Sequence, residues 1–94
     1  MKKPKAFGDG SRIEWNDRET LRYREGSRSL LVWVDYEIGF FRRGRVIHSA
    51  SLLRWETSAR GVEAENVEPS KAADILKKVQ EYYADRRIPS RVIP

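Results

Sequence analysis

The stretch LLVWVDYEIGFF, residues 30–41, decides the fold of this chain. Every second residue in it is apolar, which gives one face made of Leu30, Val32, Val34, Tyr36, Ile38 and Phe40. Apolar side chains at period two are typical of a long β-strand with one buried face. Gly39 is a position where such a strand can bend. The stretch therefore predicts a central strand that supplies much of the core.

Shorter strand patterns lie on both sides of this stretch. Before it, residues 12–15 and 21–24 alternate apolar and polar side chains and are separated by turn-forming residues. After it, residues 46–48 predict a fourth strand. Residues 51–55 predict a fifth, with Leu53 and Trp55 on one face and Leu52 on the other. The sequence thus predicts an antiparallel β-meander of about five strands.

The C-terminal part of the chain predicts one amphipathic helix. Its apolar stripe, at spacings of three and four residues, consists of Ala72, Ile75, Leu76, Val79 and Tyr83. Pro69 suits the first helical position, and Glu68 places a negative charge at the positive end of the helix dipole. We expect the helix to run from Ser70 to about Arg86, with residues 92–93 returning as a short strand. A meander followed by one helix is an α+β domain.

Length and composition limit the organisation of the chain. Its 94 residues make one domain, which we expect to comprise residues 12–94 behind a flexible N-terminal tail, residues 1–11. The chain has no cysteine, so disulfides and thiolate metal sites are excluded. It contains no targeting segment and no run of apolar residues long enough to span a membrane. The expected location is the cytoplasm.

The net charge of +5 is unevenly distributed. Residues 1–55 hold twelve Lys and Arg against seven Asp and Glu, whereas residues 56–68 hold one against four, and residues 69–94 hold six against three. A basic surplus favours a polyanionic partner, although interspersed charges also serve solubility. The acidic stretch 56–68 suits the basic cleft of a nuclease, and the arginine clusters suit an acidic partner. The charges leave both alternatives open.

The sequence offers no catalytic constellation. His48 is the only histidine, and no second imidazole or thiol is present to complete a metal or nucleophile site. Asp35 and Glu37 share a strand face and could hold a divalent cation. Alternation of polar residues on an exposed face explains the same pair. We therefore expect no enzymatic activity, no cofactor and no metal.

Arginines and aromatic residues alternate in a way that nucleic-acid-binding proteins also use. Arg42, Arg43 and Arg45 surround a predicted turn. The aromatic residues that could stack on bases near such arginines are Trp33, Phe41 and Tyr82. The sheet signature of ribonucleoprotein domains and a helix-turn-helix pattern are both absent. A small basic nucleic-acid-binding or regulatory module is therefore the alternative function.

Two sequence motifs resemble a known family. They are YREG at residues 23–26, followed by Arg28, and SLLRWE at residues 51–56, followed by the helix and the short terminal strand. In this order they resemble the small bacterial immunity proteins of polymorphic toxin systems, in particular the immunity protein seventy-four family. The resemblance covers residues 20–93. It implies a protein that binds and neutralises a cognate toxin by steric occlusion, without catalytic residues.

The second face of the central strand is the predicted interface. One helix can cover only one face of a sheet, so Leu31 and Trp33 should point away from the core and form an apolar patch with Phe41. This patch would be covered by a second copy of the chain or by the toxin, unless the sheet curls into a small barrel. The candidate protein-binding residues are Leu31, Trp33, Phe41, Arg42, Arg43, Arg45, Trp55 and Glu56.

Overall fold

The computed structural model describes residues 3–38, 43–56 and 65–94. Within them lies a six-stranded sheet whose strands are β1 (Lys5–Ala6), β2 (Arg12–Asp17), β3 (Thr20–Glu25), β4 (Arg28–Ile38), β5 (Arg43–His48) and β6 (Ser90–Ile93). A single turn of 3₁₀ helix, Ser49–Ser51, follows β5, and the helix α1 comprises Pro69–Ala84. Strands β1 to β5 pair antiparallel in chain order, and β6 pairs parallel with β5.

The α+β class and the C-terminal helix are confirmed, but the sheet has six strands rather than about five. Residues 5–6 of the predicted tail form β1 by pairing with residues 12–13 of β2. The terminal strand, anticipated at residues 92–93, extends over Ser90–Ile93. It runs parallel to β5 because α1 carries the chain back before β6 begins.

Strand β4 connects two halves of the sheet. Its residues up to Trp33 pair with β3, and its residues from Val34 onward pair with β5, so the sheet curves into a half-barrel. On its inner face Leu30, Val32 and Val34 are buried, as predicted. Tyr36 belongs to the same face but is 43% exposed, because it lies beyond the part of the sheet that the helix covers. The predicted bend at Gly39 and the side chain of Phe40 lie outside the described residues.

The predicted fifth strand, residues 51–55, is wrong. After the turn Ser49–Ser51 the chain runs beside the first half of β4, where the Glu56 amide donates a hydrogen bond to the Ser29 carbonyl. Leu52 and Trp55 are both buried, at 2% and 3% exposure, whereas Leu53 is 65% exposed. Buried residues three positions apart do not follow the alternation of a strand, so this segment packs as an irregular cover over the core.

The helix packs on the inner face of the sheet. Its N-cap is Glu68, Pro69 is the first helical residue, and the helix ends two residues before the expected Arg86. The buried helix residues are Ile75, Lys78, Val79, Tyr82 and Tyr83. They close a core formed with Ile13, Leu21, Tyr23, Leu30, Val32, Val34, Ile47, Leu52, Trp55 and Val67. The predicted stripe is therefore correct at its centre, while Ala72 and Leu76 lie half-buried at its margin.

Candidate binding surfaces

Among the described residues, the outer face of the sheet presents one large exposed aromatic residue, Trp33, which is 51% exposed. Its backbone amide donates a hydrogen bond of 3.1 Å to the Ser51 hydroxyl, which follows β5. On the other side of β4 it is in register with Thr20. Leu31, two residues earlier on the same face, is half-buried. Trp33 is thus an exposed side chain on a fixed backbone.

The charged residues of this outer face are paired with one another. Arg22 donates to both carboxylate oxygens of Glu56 at 2.9 Å, and the His48 ring lies 2.6 Å from the Asp35 carboxylate. Glu14 accepts from Arg12 and Arg24 at 2.7 and 3.2 Å. The described part of the outer face therefore combines an exposed tryptophan with locally compensated charges.

A cleft of about 120 Å³ opens on the opposite side of the sheet, where the C-terminal end of α1 meets the inner face. Four aromatic side chains line it: Trp15, Tyr36, Tyr82 and Tyr83. Trp15 and Tyr36 are 41% and 43% exposed, whereas the two tyrosines of α1 are buried. We call this site the arginine–aromatic cleft, because its other prominent lining residues are Arg18, Arg45 and Arg86.

Two of the cleft arginines lie over aromatic rings. The Arg45 guanidinium lies 3.9 Å from the centre of the Tyr36 ring, and that of Arg86 lies 3.7 Å from the Tyr82 ring. Arg45 donates to the Gly44 carbonyl, and Arg86 donates to the carbonyls of Tyr82 and Lys3. Within the described ranges, Arg18, Arg45 and Arg86 form no ion pair with a carboxylate. A stacked arginine keeps part of its planar fork free for an anion.

Asp17 is the one acidic residue among the described residues that line the cleft, and its carboxylate already accepts hydrogen bonds from its own turn. It accepts hydrogen bonds from the Glu19 amide at 2.9 Å and from the Thr20 hydroxyl at 2.8 Å, and the Asn16 amide contacts it as well. These bonds, the Glu19 amide first, lower the pKa of Asp17. Burial raises the pKa of Tyr82 and Tyr83, so both phenols stay neutral at physiological pH. The cleft consequently carries net positive charge.

The predicted interface residues whose side chains the structure describes do not form one surface. Leu31, Trp33 and Glu56 lie on the outer face, and Arg45 lies in the cleft on the opposite side. Trp55 belongs to the core, where its ring centre is 6.1 Å from that of Tyr23 and the Arg28 guanidinium covers it at 4.4 Å. Phe41, Arg42 and the side chain of Arg43 lie outside the described part of the chain.

Sequence reasoning missed the arginine–aromatic cleft. Its residues come from β2, β3 and the turn between them, from β4 and β5, and from the end of α1 and the residues after it, and no local pattern connects these positions. The sequence suggests Tyr82 as a residue that stacks on bases, yet its side chain is only 2% exposed. Its ring instead packs under the Arg86 guanidinium. One signal was present: Trp15 and Tyr36 both occupy the inward register near the ends of their strands, at the margin of the core.

No cluster of three potential metal ligands occurs among the described residues. Asp35, considered above as half of a cation site, contacts His48. The only described helix of more than one turn, α1, has 16 residues, too few and too polar to cross a membrane.

Compared with protein-family models, with curated proteins and with solved structures, the chain matches none. The likeness to immunity proteins therefore rests on the motifs at residues 23–26 and 51–56. In the structure these two segments lie together: Tyr23 packs on Trp55, and Glu25 receives hydrogen bonds from Arg28 and Lys71.

Proposed function

We propose that this chain is a cytoplasmic immunity-type binding protein that neutralises a cognate toxin domain by covering its active site. The observation that supports this function most strongly is the half-exposed Trp33 on the outer face of a hydrogen-bonded sheet. Tryptophan is enriched among the residues that dominate binding energy at interfaces. A rigid backbone under such a side chain lowers the entropy lost on binding.

The charges around Trp33 favour a protein partner on this face. The pairs Arg22–Glu56 and His48–Asp35 place both signs of charge beside the aromatic side chain. A mixed polar rim around an apolar centre is the usual anatomy of a protein interface. A polyanion would instead require uncompensated cations, and on this face the described arginines 12, 22 and 24 are paired with glutamates. The contact therefore suits a folded toxin domain better than nucleic acid.

The test asks first whether a toxin-domain gene lies directly upstream of the gene for this chain, and then uses the product of that gene as the binding partner in calorimetric titrations. We expect Trp33→Arg to weaken binding by about 30-fold or more, the effect of losing an interface hot spot. Trp15→Arg is the matched control, because Trp15 is the same residue type with similar exposure on the opposite face. Both variants should keep a cooperative thermal transition in circular dichroism. Loss of binding in Trp15→Arg alone would show that the outer face is not the interface.

Absence of any binding by the wild-type chain to that toxin domain would contradict the function itself. A second copy of this chain is the other occupant that the outer face could accept. Sedimentation of the wild type over a range of concentrations separates the two cases before any toxin is added. A dimer that Trp33→Arg dissociates would assign the face to self-association.

A further inference from the structure

The arginine–aromatic cleft differs chemically from the outer face. Its arginines carry no compensating carboxylate within the described residues, and its one acidic lining residue, Asp17, is occupied by its own turn. The outer-face arginines, by contrast, are paired with Glu14 and Glu56. The cleft therefore brings together three arginines that have no carboxylate partner among the described residues.

The aromatic residues of the cleft indicate which class of anion it could bind. Trp15 and Tyr36 present half-exposed rings from two different strands, and Arg45 lies against the Tyr36 ring at 3.9 Å. A simple carboxylate or phosphate would use the arginines alone. A nucleotide unit uses both, since its base stacks on aromatic rings while its phosphate accepts hydrogen bonds from a guanidinium. The small volume, about 120 Å³, and the open mouth admit one flat group at a time.

We propose that the arginine–aromatic cleft binds single-stranded nucleic acid by taking one unpaired base between Trp15 and Tyr36 and one adjacent phosphate on Arg45 and Arg86. Arg18, on the turn after β2, lies at the same mouth and would contact a neighbouring phosphate. A duplex does not fit this mode, because its bases are stacked and paired. This site is separate from the outer face and does not depend on toxin binding.

The experiment measures fluorescence anisotropy of labelled oligothymidylate and oligouridylate, with a duplex of equal length as the comparison. We expect the single strands to bind and the duplex to bind at least tenfold more weakly. Trp15→Ala should weaken single-strand binding by about tenfold, the usual effect of removing one stacking platform. Trp33→Ala is the matched control on the outer face and should leave the affinity unchanged.

The arginines are tested with two double variants that remove the same charge. Arg45→Gln with Arg86→Gln should weaken binding and flatten its dependence on salt, because fewer counterions are released. Arg12→Gln with Arg24→Gln, at the paired outer-face positions, should have little effect. Circular dichroism melts identify any variant that fails to fold, and the remaining variants decide the result.

Three results would overturn the proposal. Equal losses of single-strand affinity in Trp15→Ala and Trp33→Ala would show that the binding is only a general attraction between charges. Equal affinity for the duplex would exclude an unpaired base as the ligand. Competition by polyglutamate as strong as that by unlabelled oligonucleotide would reassign the cleft to acidic protein segments. The outcome is independent of whether the toxin domain binds, so the two proposals fail separately.

Discussion

Lys78, in the middle of α1, donates a hydrogen bond of 2.5 Å to the carboxylate of Asp9, which lies 69 positions earlier in the chain. The same ammonium group reaches the Ser11 hydroxyl at 2.9 Å and the Asp74 carboxylate at 3.0 Å. Lys78 is only 8% exposed. Burial acts to lower the pKa of Lys78, but its hydrogen bonds to Asp9, Asp74 and Tyr23 outweigh burial and raise it. The N-terminal segment is thereby fastened to the helix.

Replacing Lys78 should loosen this attachment. We expect Lys78→Met to lower the free energy of unfolding by about 1–3 kcal/mol, because the Ser11 and Tyr23 hydroxyls lose their charged partner in a buried site. Lys77→Met, at the exposed neighbouring position, is the control and should change stability little. Urea titrations measure both. Equal effects in the two variants would show that the Lys78 contacts contribute nothing specific.

The pH dependence of stability follows from two carboxyl groups that accept hydrogen bonds from lysines, Asp9 from Lys78 and Glu25 from Lys71. The hydrogen bond from Lys78 lowers the pKa of Asp9 below its usual 3.8, and the bond from Lys71 lowers that of Glu25 below 4.5. A carboxyl with a lowered folded-state pKa stabilises the fold above its unfolded-state pKa and loses this effect as the pH falls. We expect the melting temperature to be constant from pH 7 to about 5 and to fall below about pH 4.

Asp9→Asn tests this assignment. The amide cannot titrate, so the variant should be less stable at pH 7 and should lose less stability on acidification than the wild type does. Thermal melts at pH 7, 5, 4 and 3 provide the comparison. An acid transition identical in the two proteins would assign the pH dependence to other carboxyl groups.

The buried face of β4 is tested by introducing a charge. Val34 is 2% exposed, so Val34→Asp buries a carboxylate without a partner. The cost of burying an unpaired charge exceeds the few kcal/mol of stability that small domains have. We expect the variant to lack a cooperative thermal transition. Leu53→Asp, at a site 65% exposed, should unfold as the wild type does.

Substitution of Trp55 distinguishes a role in the core from a role in partner recognition. Its ring is 3% exposed and packs between Tyr23 and Arg28. Trp55→Ala should therefore destabilise the fold by about 3–5 kcal/mol, as large-to-small substitutions in a core do. Leu53→Ala serves as the nearby exposed control. A Trp55→Ala variant of unchanged stability that no longer binds the toxin domain would return Trp55 to the interface.

The parts of the fold that alternation and helical spacing encode could be read from the sequence. Leu30, Val32 and Val34 are buried because period two places them on one face, and Ile75 and Val79 are buried because they lie one helical turn apart. The burial of Lys78 was not predicted although this residue shares that helix face, because a lysine is rarely buried without partners. Its partners Asp9 and Ser11 lie in a segment that resembled a tail.

The binding surfaces were harder to predict for a different reason. Trp33 follows directly from strand alternation, and its exposure agrees with the expected outward direction. Arg45 appeared to belong with Arg42 and Arg43 in a turn, but its register opposite Tyr36 turns it to the inner face. The cleft combines residues of four strands with residues at and beyond the end of α1, and the curvature of the sheet at β4 helps to bring them together.

The edges of the sheet restrict how any partner can be recognised. At one edge β1 has two residues and β6, at the other, has four. Strand β2, which extends beyond β1, has an irregularity between Trp15 and Asp17 in its pairing with β3. Short and bulged edges oppose the addition of a further strand. We therefore expect a partner to recognise this protein through side chains on the faces of the sheet. Backbone pairing at the sheet edges, which is also the contact that starts fibril formation, is disfavoured.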